Sequence, residues 1–510
     1  MKRNRLLYIA LLAAMSFFPS CVEKVDPVNG GNGNGNGNGN GNTPTPTVTK
    51  PSEEIQQADV FSRDLLGTYY LWNKEINNSL KRLDPDTCKS PIAVVNEIRY
   101  HQGTKEVDHW TQLTDNLNSF TSSVQGLGLT YGYELQLGRI SNKEGVYFLL
   151  VCYVVKDSPA EKAGIKRGDI LMTLDGKEIT SSNVYDAFNT QKVKVGICNL
   201  VTEGDKQYLG PITKTLDLVA VDMWEDPVLL SKTFDINGKK VGYLVYNSFD
   251  LKSAATLPGV FRQFKEDGIQ ELILDLRYNG GGYAFTECEL ASMIAPAANV
   301  KAGDIFQTEV YNSILADAWK QQGYDTNTYF ATKHEFKDEK NPINEDVSDA
   351  NPGVSKLYAI VTGGSASASE GLIVGLMPYM DVVLIGEQTY GKYCAGWMMS
   401  AEDLYGKTST VDYSKITKWG MYVMISKFAD KNGYNAAMPD GIPVDIRSYD
   451  DPFDGCQLGD EDETMLKTAL MAAGKPYTKA ATEGRKPFTT DFIDHGKPRG
   501  ILIKSVPTLN

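Results

Sequence analysis

Beyond residue 219 the chain repeats one pattern. Short apolar runs, "KVGYLVYN", "ELILDLRYN", "KLYAIVTGG" and "VVLIGEQ", alternate with segments of helical spacing such as "TECELASMIA" and "SEGLIVGLM". Runs rich in Val, Ile, Leu and Tyr without polar alternation fit strands covered on both faces, and the helical segments between them supply the covers. The pattern predicts an α/β layer over residues 219–480.

Ahead of it the texture differs. Residues 113–218 carry "GLGLTYGYEL", "GVYFLLVCYVV" and "DILMTLDG", short strand-like runs separated by Gly and Asp, which predict a β-rich module. Residues 51–112 contain "IQQADVFSRDLLGTYYLW" and "SPIAVVNEIRY", apolar at helical spacing with Ser90-Pro91 as a helix start, which predicts a small helical domain. Residues 481–510 read as a polar C-terminal tail. With 510 residues and 42% hydrophobic content, the chain is long enough for this multidomain α+β organisation.

The N-terminus "MKRNRLLYIALLAAMSFFPSC" places Lys2, Arg3 and Arg5 before an apolar stretch from Leu6 to Phe18, the layout of a secretory signal over residues 1–20. The stretch is shorter than the ~20 residues of a membrane-spanning helix. Its closing Cys21 resembles the cysteine of a bacterial lipobox, which implies cleavage before Cys21 and lipidation of the thiol; a plain secreted chain with a chance cysteine is the other reading. Residues 21–50, Gly/Asn repeats and then Thr/Pro, bury too little apolar surface to offset ordering entropy and read as a tether. The expectation is an exported chain held by lipid at a bacterial envelope membrane, the outer membrane first, with its facing side left open.

The net charge of −13 argues against nucleic acid as a partner. The six cysteines after Cys21 form no C-x-x-C pair and none lies near a histidine cluster, so no metal is expected.

The chemistry centres on "TGGSASASEG". It lies between a strand and a helix start, where free N–H groups and the helix dipole favour negative charge. Small residues there either let a helix pack closely on the sheet or include a nucleophile, and a base decides between the two. His101, His109, His334 and His495 have no flanking pattern of a triad, and the segment lacks the G-x-S-x-G elbow. A lysine is better placed: Lys392 follows the strand "VVLIG" on the loop "TYGK", one strand over by the usual crossover geometry. Its ordinary pKa of about 10.4 has to fall by roughly three units for a base at neutral pH, which burial achieves.

Four motifs, "ILDLRYNGGG", "GGSASASEG", "GEQTYGK" and "MPDGIPVDI", follow in this order after "SPAEKAGIKRGDILMTLDGKEI". The last-quoted segment resembles a PDZ domain. Together, over residues from about 60 to 470, the motifs resemble the tail-specific, or C-terminal processing, serine peptidases with a Ser/Lys dyad. The resemblance implies a crotonase-like (ClpP/crotonase) protease core, Ser367 as nucleophile and Lys392, 25 residues later, as general base. It implies an oxyanion hole from the N–H groups of Ala368 and Gly281, with Gly280 and Gly282 as neighbours, and no cofactor. It also makes Gly126, Leu127, Gly128 and Leu129 the loop that holds a peptide's carboxylate, with the next strand pairing with the peptide; an ordinary sheet edge is the alternative. Several members carry Gln or Glu four residues after the lysine, where this chain has Gly396, which leaves the orientation of Lys392 open. The expected activity is endopeptidase cleavage of polypeptides with free C-termini. Its rival is a peptide-binding surface lipoprotein without turnover.

Overall fold

The computed structural model describes residues 50–140, 143–203, 206–336, 342–477, 490–492 and 501–503. The signal segment, Cys21 and the tether ahead of residue 50 lie outside these residues, as do His495 and most of 481–510.

The α/β layer is a six-stranded sheet in the order Val228–Ile236, Lys239–Tyr246, Glu271–Asp275, Lys356–Val361, Asp381–Gly386, Ile446–Arg447. The first two form an antiparallel hairpin through Asn237-Gly238, both at positive φ, and all other pairings are parallel. Alternate residues of one strand serve opposite faces. Leu272 and Leu274 join Phe261, Leu290 and Leu372 of the helices Leu257–Asp267, Ala284–Ile294 and Ala368–Leu376. Ile273, Tyr358 and Ile360 join Met465, Leu466 and Leu470 of the helix Thr464–Ala472 on the other face. Burial on both faces is why these strands read as continuous apolar runs.

A second sheet, in the order Gly281–Tyr283, Ile501–Ile503, Cys394–Ser400, Gly420–Ala429, Ile305–Tyr311, Asn327–Tyr329, packs beside the first. Gln112–Thr114 adds to it along Gly420–Tyr422.

Residues 51–112 do form helices, Glu53–Thr68 and Pro91–Ile98 among them, the second with Ser90 at its N-cap and Pro91 in its first turn. They are not a domain with a core of their own. Phe61, Leu65, Tyr70 and Trp72 belong to the same buried cluster as Trp319, Trp397 and Met421, and the Leu71 N–H donates to Met424 O at 2.8 Å. Helical spacing identified the buried face correctly, but not which partner covers it.

The β-rich module is an antiparallel sheet of Lys206–Val219, Lys192–Glu203, Ile170–Leu174, Tyr147–Val154 and Tyr133–Arg139, with Thr490–Phe492 on its edge. It has its own core of Leu135, Leu149, Val151, Ile165, Leu171 and Val195. Its boundary differs from residue 113: the strand Leu127–Thr130 pairs instead with Val221–Trp224 in a separate ribbon, and the module's core begins with Tyr131. The C-terminal segment is likewise more than a polar tail, since both of its described pieces are strands. Among the described residues no helix is long and apolar enough to cross a membrane, and no disulfide joins the cysteines.

Candidate active site

Three adjacent parallel strands, Glu271–Asp275, Lys356–Val361 and Asp381–Gly386, end on the same side of the sheet, so their following loops meet there. Side chains stitch the loops together. Ser365 Oγ donates to Leu276 O at 2.7 Å, Ser369 Oγ to Asn279 O at 2.9 Å, and the Ala366 N–H to Asn279 O at 3.1 Å. Two serines of the small-residue run thus fasten the turn to the glycine loop. Ser367 stands between them at the N-cap of the helix Ala368–Leu376, with a φ of 61°. A non-glycine residue held in such a region costs ~1–3 kcal/mol, and strain of this kind clusters at functional sites.

Ser367 Oγ lies 3.2 Å from Lys392 Nζ, and Nζ donates to the Tyr422 hydroxyl at 2.9 Å. Ser367 and Lys392 are fully buried. The remaining surroundings of Nζ are aromatic: the Trp110 ring at 5.6 Å and the Tyr422 ring at 5.3 Å. Among the described residues no carboxylate forms an ion pair with it. Burial therefore pushes the Lys392 pKa down to about 8, although Cys394, Asp108 and Glu370 pull the other way. At that value roughly one lysine in ten is neutral at pH 7.

Glu370 sets the distance between the two loops. Its buried carboxylate accepts from the N–H groups of Ser367 (2.9 Å), Lys392 (2.9 Å) and Gly391 (2.7 Å), and from Thr389 Oγ1 (2.6 Å). Burial pushes its pKa up to about 7 against those four donors. Reading the chain assigned Glu370 no role, yet a Ser followed three residues later by Glu before an apolar run is the capping-box pattern and was available as a signal.

Tyr422 was missed altogether, and it explains Gly396. The two strands pair so that Gly396 faces Met424 and Met398 faces Tyr422. A Cβ at Gly396 would stand 2.6 Å from Tyr422 Cε2 and 2.7 Å from Met424 Cε. The tyrosine ring fills the room a longer residue at 396 would need, and its hydroxyl reaches Nζ from the neighbouring strand. "GMYVMISKF" reads only as a buried strand, so nothing local marked this tyrosine.

Two expected roles need correction in their geometry. The Gly281 N–H is not open: it donates to Asn279 Oδ1 at 2.9 Å. The close approach that glycine permits belongs to Gly282, where a Cβ would stand 2.4 Å from Phe249 O. The Ala368 N–H, the first of its helix, has no intrahelical carbonyl to bond. In the segment Gly126–Leu129, the Gly126 N–H donates to Ser123 O, and one edge of the following strand is taken by Val221–Trp224. Its four backbone groups are thus not a free nest, although the strand's other edge is unpaired among the described strands.

The β-rich module reaches the glycine loop through buried charges. Arg167 donates to Cys152 O at 2.9 Å and Tyr278 OH at 2.6 Å and pairs with Asp450. Arg277 pairs with Asp275 (2.7 Å), Asp450 (2.9 Å) and Glu463 (2.7 Å). The two guanidinium groups hold the Asp450 carboxyl down at about 2 despite burial. Among the described residues no cluster of His, Cys, Asp or Glu could hold a metal ion.

Sheet, loops and module together define a PDZ-bearing α/β peptidase architecture, and comparison with known proteins agrees. Residues 240–448 match the model of peptidase family S41 and residues 150–187 that of a PDZ domain. The chain thus carries a region similar to the S41 peptidases behind a region similar to a PDZ domain. It is 25% identical over 306 residues to the chloroplastic C-terminal processing peptidase of Tetradesmus obliquus, covering 57% of this chain and 56% of that one. It is 26% identical over 303 residues to the carboxy-terminal processing protease CtpA of Bacillus subtilis, covering 59% and 53%. The chain thus spans little more than half the length of these curated relatives. A solved structure from Bacteroides fragilis, assigned to the S41 proteases, shares the fold with a TM-score of 0.63 at 23% identity, covering 81% of this chain and 97% of that one.

Proposed function

We propose that the chain is a serine endopeptidase in which Ser367 is the nucleophile and Lys392 the general base. The observation that carries this reading is the 3.2 Å approach of Ser367 Oγ to a fully buried lysine that no carboxylate among the described residues pairs with. Neutral Lys392 takes the hydroxyl proton as Oγ attacks the peptide carbonyl. Tyr422 accepts an N–H from Nζ and so aims the nitrogen lone pair at Ser367. The Ala368 N–H receives the developing oxyanion, and Gly281 adds a second donor once Asn279 releases it; each is worth ~3 kcal/mol to the transition state. The lysine ammonium returns its proton to the leaving amine, and water hydrolyses the acyl-enzyme.

The substrates are polypeptides engaged near their free C-termini, with the PDZ module as the receiving surface. The names of the relatives, carboxyl-terminal processing proteases, support this. Cys21 carries a lipid that anchors the exported chain to an envelope membrane; the signal-like N-terminus supports this part. A binding-only lipoprotein drew its case from Gly396; the Tyr422 hydroxyl beside Lys392 Nζ favours turnover instead.

Replacing Ser367 with Ala tests the reading. Hydrolysis of an unfolded polypeptide should vanish while stability stays within about 1 kcal/mol, the usual cost of an N-cap change. Undiminished turnover in the Ser367→Ala protein would end the assignment.

A further inference from the structure

The strand Ile501–Ile503 fills a gap between two strands that are not paired with each other. On one side is Gly281–Tyr283 of the glycine loop, and on the other Cys394–Ser400, which begins two residues after Lys392. It runs parallel to both, with Gly281 opposite Ile501, Gly282 opposite Leu502, Tyr283 opposite Ile503, and Gly396 also opposite Ile503. Further back, Thr490–Phe492 pairs antiparallel with the edge strand Tyr133–Arg139 of the PDZ module, from Thr490 opposite Gly138 to Phe492 opposite Gln136.

One place is a gap between two strands and the other the edge of the module's sheet, and at either an extended peptide can add as a strand. One lies beside the loop that carries Gly281, the other on the strand that follows the Gly126–Leu129 segment. Two observations at the catalytic residues fit an occupied slot. Ser367, Ala368 and Lys392 are each at 0% exposure, so no polypeptide reaches the hydroxyl unless something moves. The Gly281 N–H, in the strand that pairs with Ile501, is engaged by Asn279 Oδ1 rather than open to a carbonyl. Ile503 is 7% exposed and seated in the main core, which defines an apolar subsite opposite Gly396.

Resting on the peptidase reading, we infer that this chain's own C-terminal segment is the resident occupant of its substrate slot, an intramolecular competitor that an incoming strand displaces. The guest that displaces it is an extended polypeptide with an apolar residue at the register of Ile503. At the ~1 mM effective concentration of a tethered ligand, a segment with a dissociation constant of ~0.1 mM raises KM about tenfold.

The decisive experiment compares the full chain with full-length Leu502→Pro, which removes a strand N–H, and with a chain ending at Tyr477, on fluorescently labelled unfolded casein. KM should fall about tenfold in both variants with kcat nearly unchanged. A synthetic peptide of residues 495–510 should bind the shortened Ser367→Ala chain by calorimetry and compete with casein, and the same peptide carrying Leu502→Pro should do neither. An unchanged KM, or activity lost together with thermal stability while the peptide fails to bind, would make the strand a fixed structural element and overturn the inference. If the shortened chain does not fold, full-length Leu502→Pro and peptide competition against the full chain decide it. If no form hydrolyses casein and a fluorophosphonate leaves Ser367 unlabelled, the peptidase reading is what fails, and peptide binding still judges the slot.

Discussion

Two fully buried cations lie one loop apart in this protein and behave in opposite ways. Arg277 is surrounded by Asp275, Asp450 and Glu463, all within 3 Å, and stays charged. Lys392 meets a serine hydroxyl, a tyrosine hydroxyl and two aromatic rings, and burial moves its pKa toward neutrality. Burial is the same for both, so the difference lies in the partners. Carboxylates offset the desolvation of a guanidinium, and their network positions the glycine loop. Neutral partners leave the ammonium expensive, the condition the proposed base needs. A buried cation becomes reactive when its neighbours hydrogen-bond to it without a counter-charge.

The sharpest way to break this comparison is to exchange the chemistry of the lysine. Lys392→Arg keeps a cation but cannot give up a proton at working pH, so hydrolysis should fall by ~10³-fold or more. An active arginine variant would show that charge, not basicity, is what the site uses.

Removing each cation separates the two regions by stability. Arg277→Met leaves buried carboxylates without partners and should cost ~3–5 kcal/mol in urea unfolding. Lys392→Met removes only a group that is costly to bury and should leave stability unchanged or raised, although activity is lost. The charged region is also acid-labile. The depressed Asp450 pKa contributes stability that is present above its unfolded value near 3.9 and is lost as pH falls through about 2. Equal losses from Arg277→Met and Lys392→Met would erase the distinction.

Tyr422→Phe is the finer test, because the ring that fills the space at Gly396 remains and only the hydroxyl goes. kcat should drop about tenfold to a hundredfold with KM little changed, less than the ~10²–10⁴-fold of a group that itself transfers the proton. The pH midpoint should move down, because the lost acceptor stabilised the ammonium. A fall in kcat without that shift would reduce Tyr422 to a packing role.

How far the chain could be read follows from where each signal lies. The proximity of Ser367 and Lys392 was legible because each follows its own strand on a small-residue loop, and parallel neighbours bring such loops together. Tyr422 was not, because its proximity to Lys392 depends on pairing between Cys394–Ser400 and Gly420–Ala429, a register no local pattern encodes. Gly281 was given a free N–H because the competing Asn279 side chain became visible only in three dimensions. The N-terminal helices showed their apolar faces but not that Trp319 and Trp397 cover them. "ILI" near the C-terminus is too short to announce a strand, and it is one only because two foreign edges accept it.

The central claim, that Lys392 acts as a base because it is buried without a counter-ion, is tested most directly by the pH dependence of kcat/KM on an unfolded polypeptide. A base must be unprotonated to act, so the rate should climb from pH 6 and level off above an apparent pKa of about 8. A rate that is flat from pH 6 to 10, or one still rising at the ordinary lysine value of about 10.4, would contradict the account.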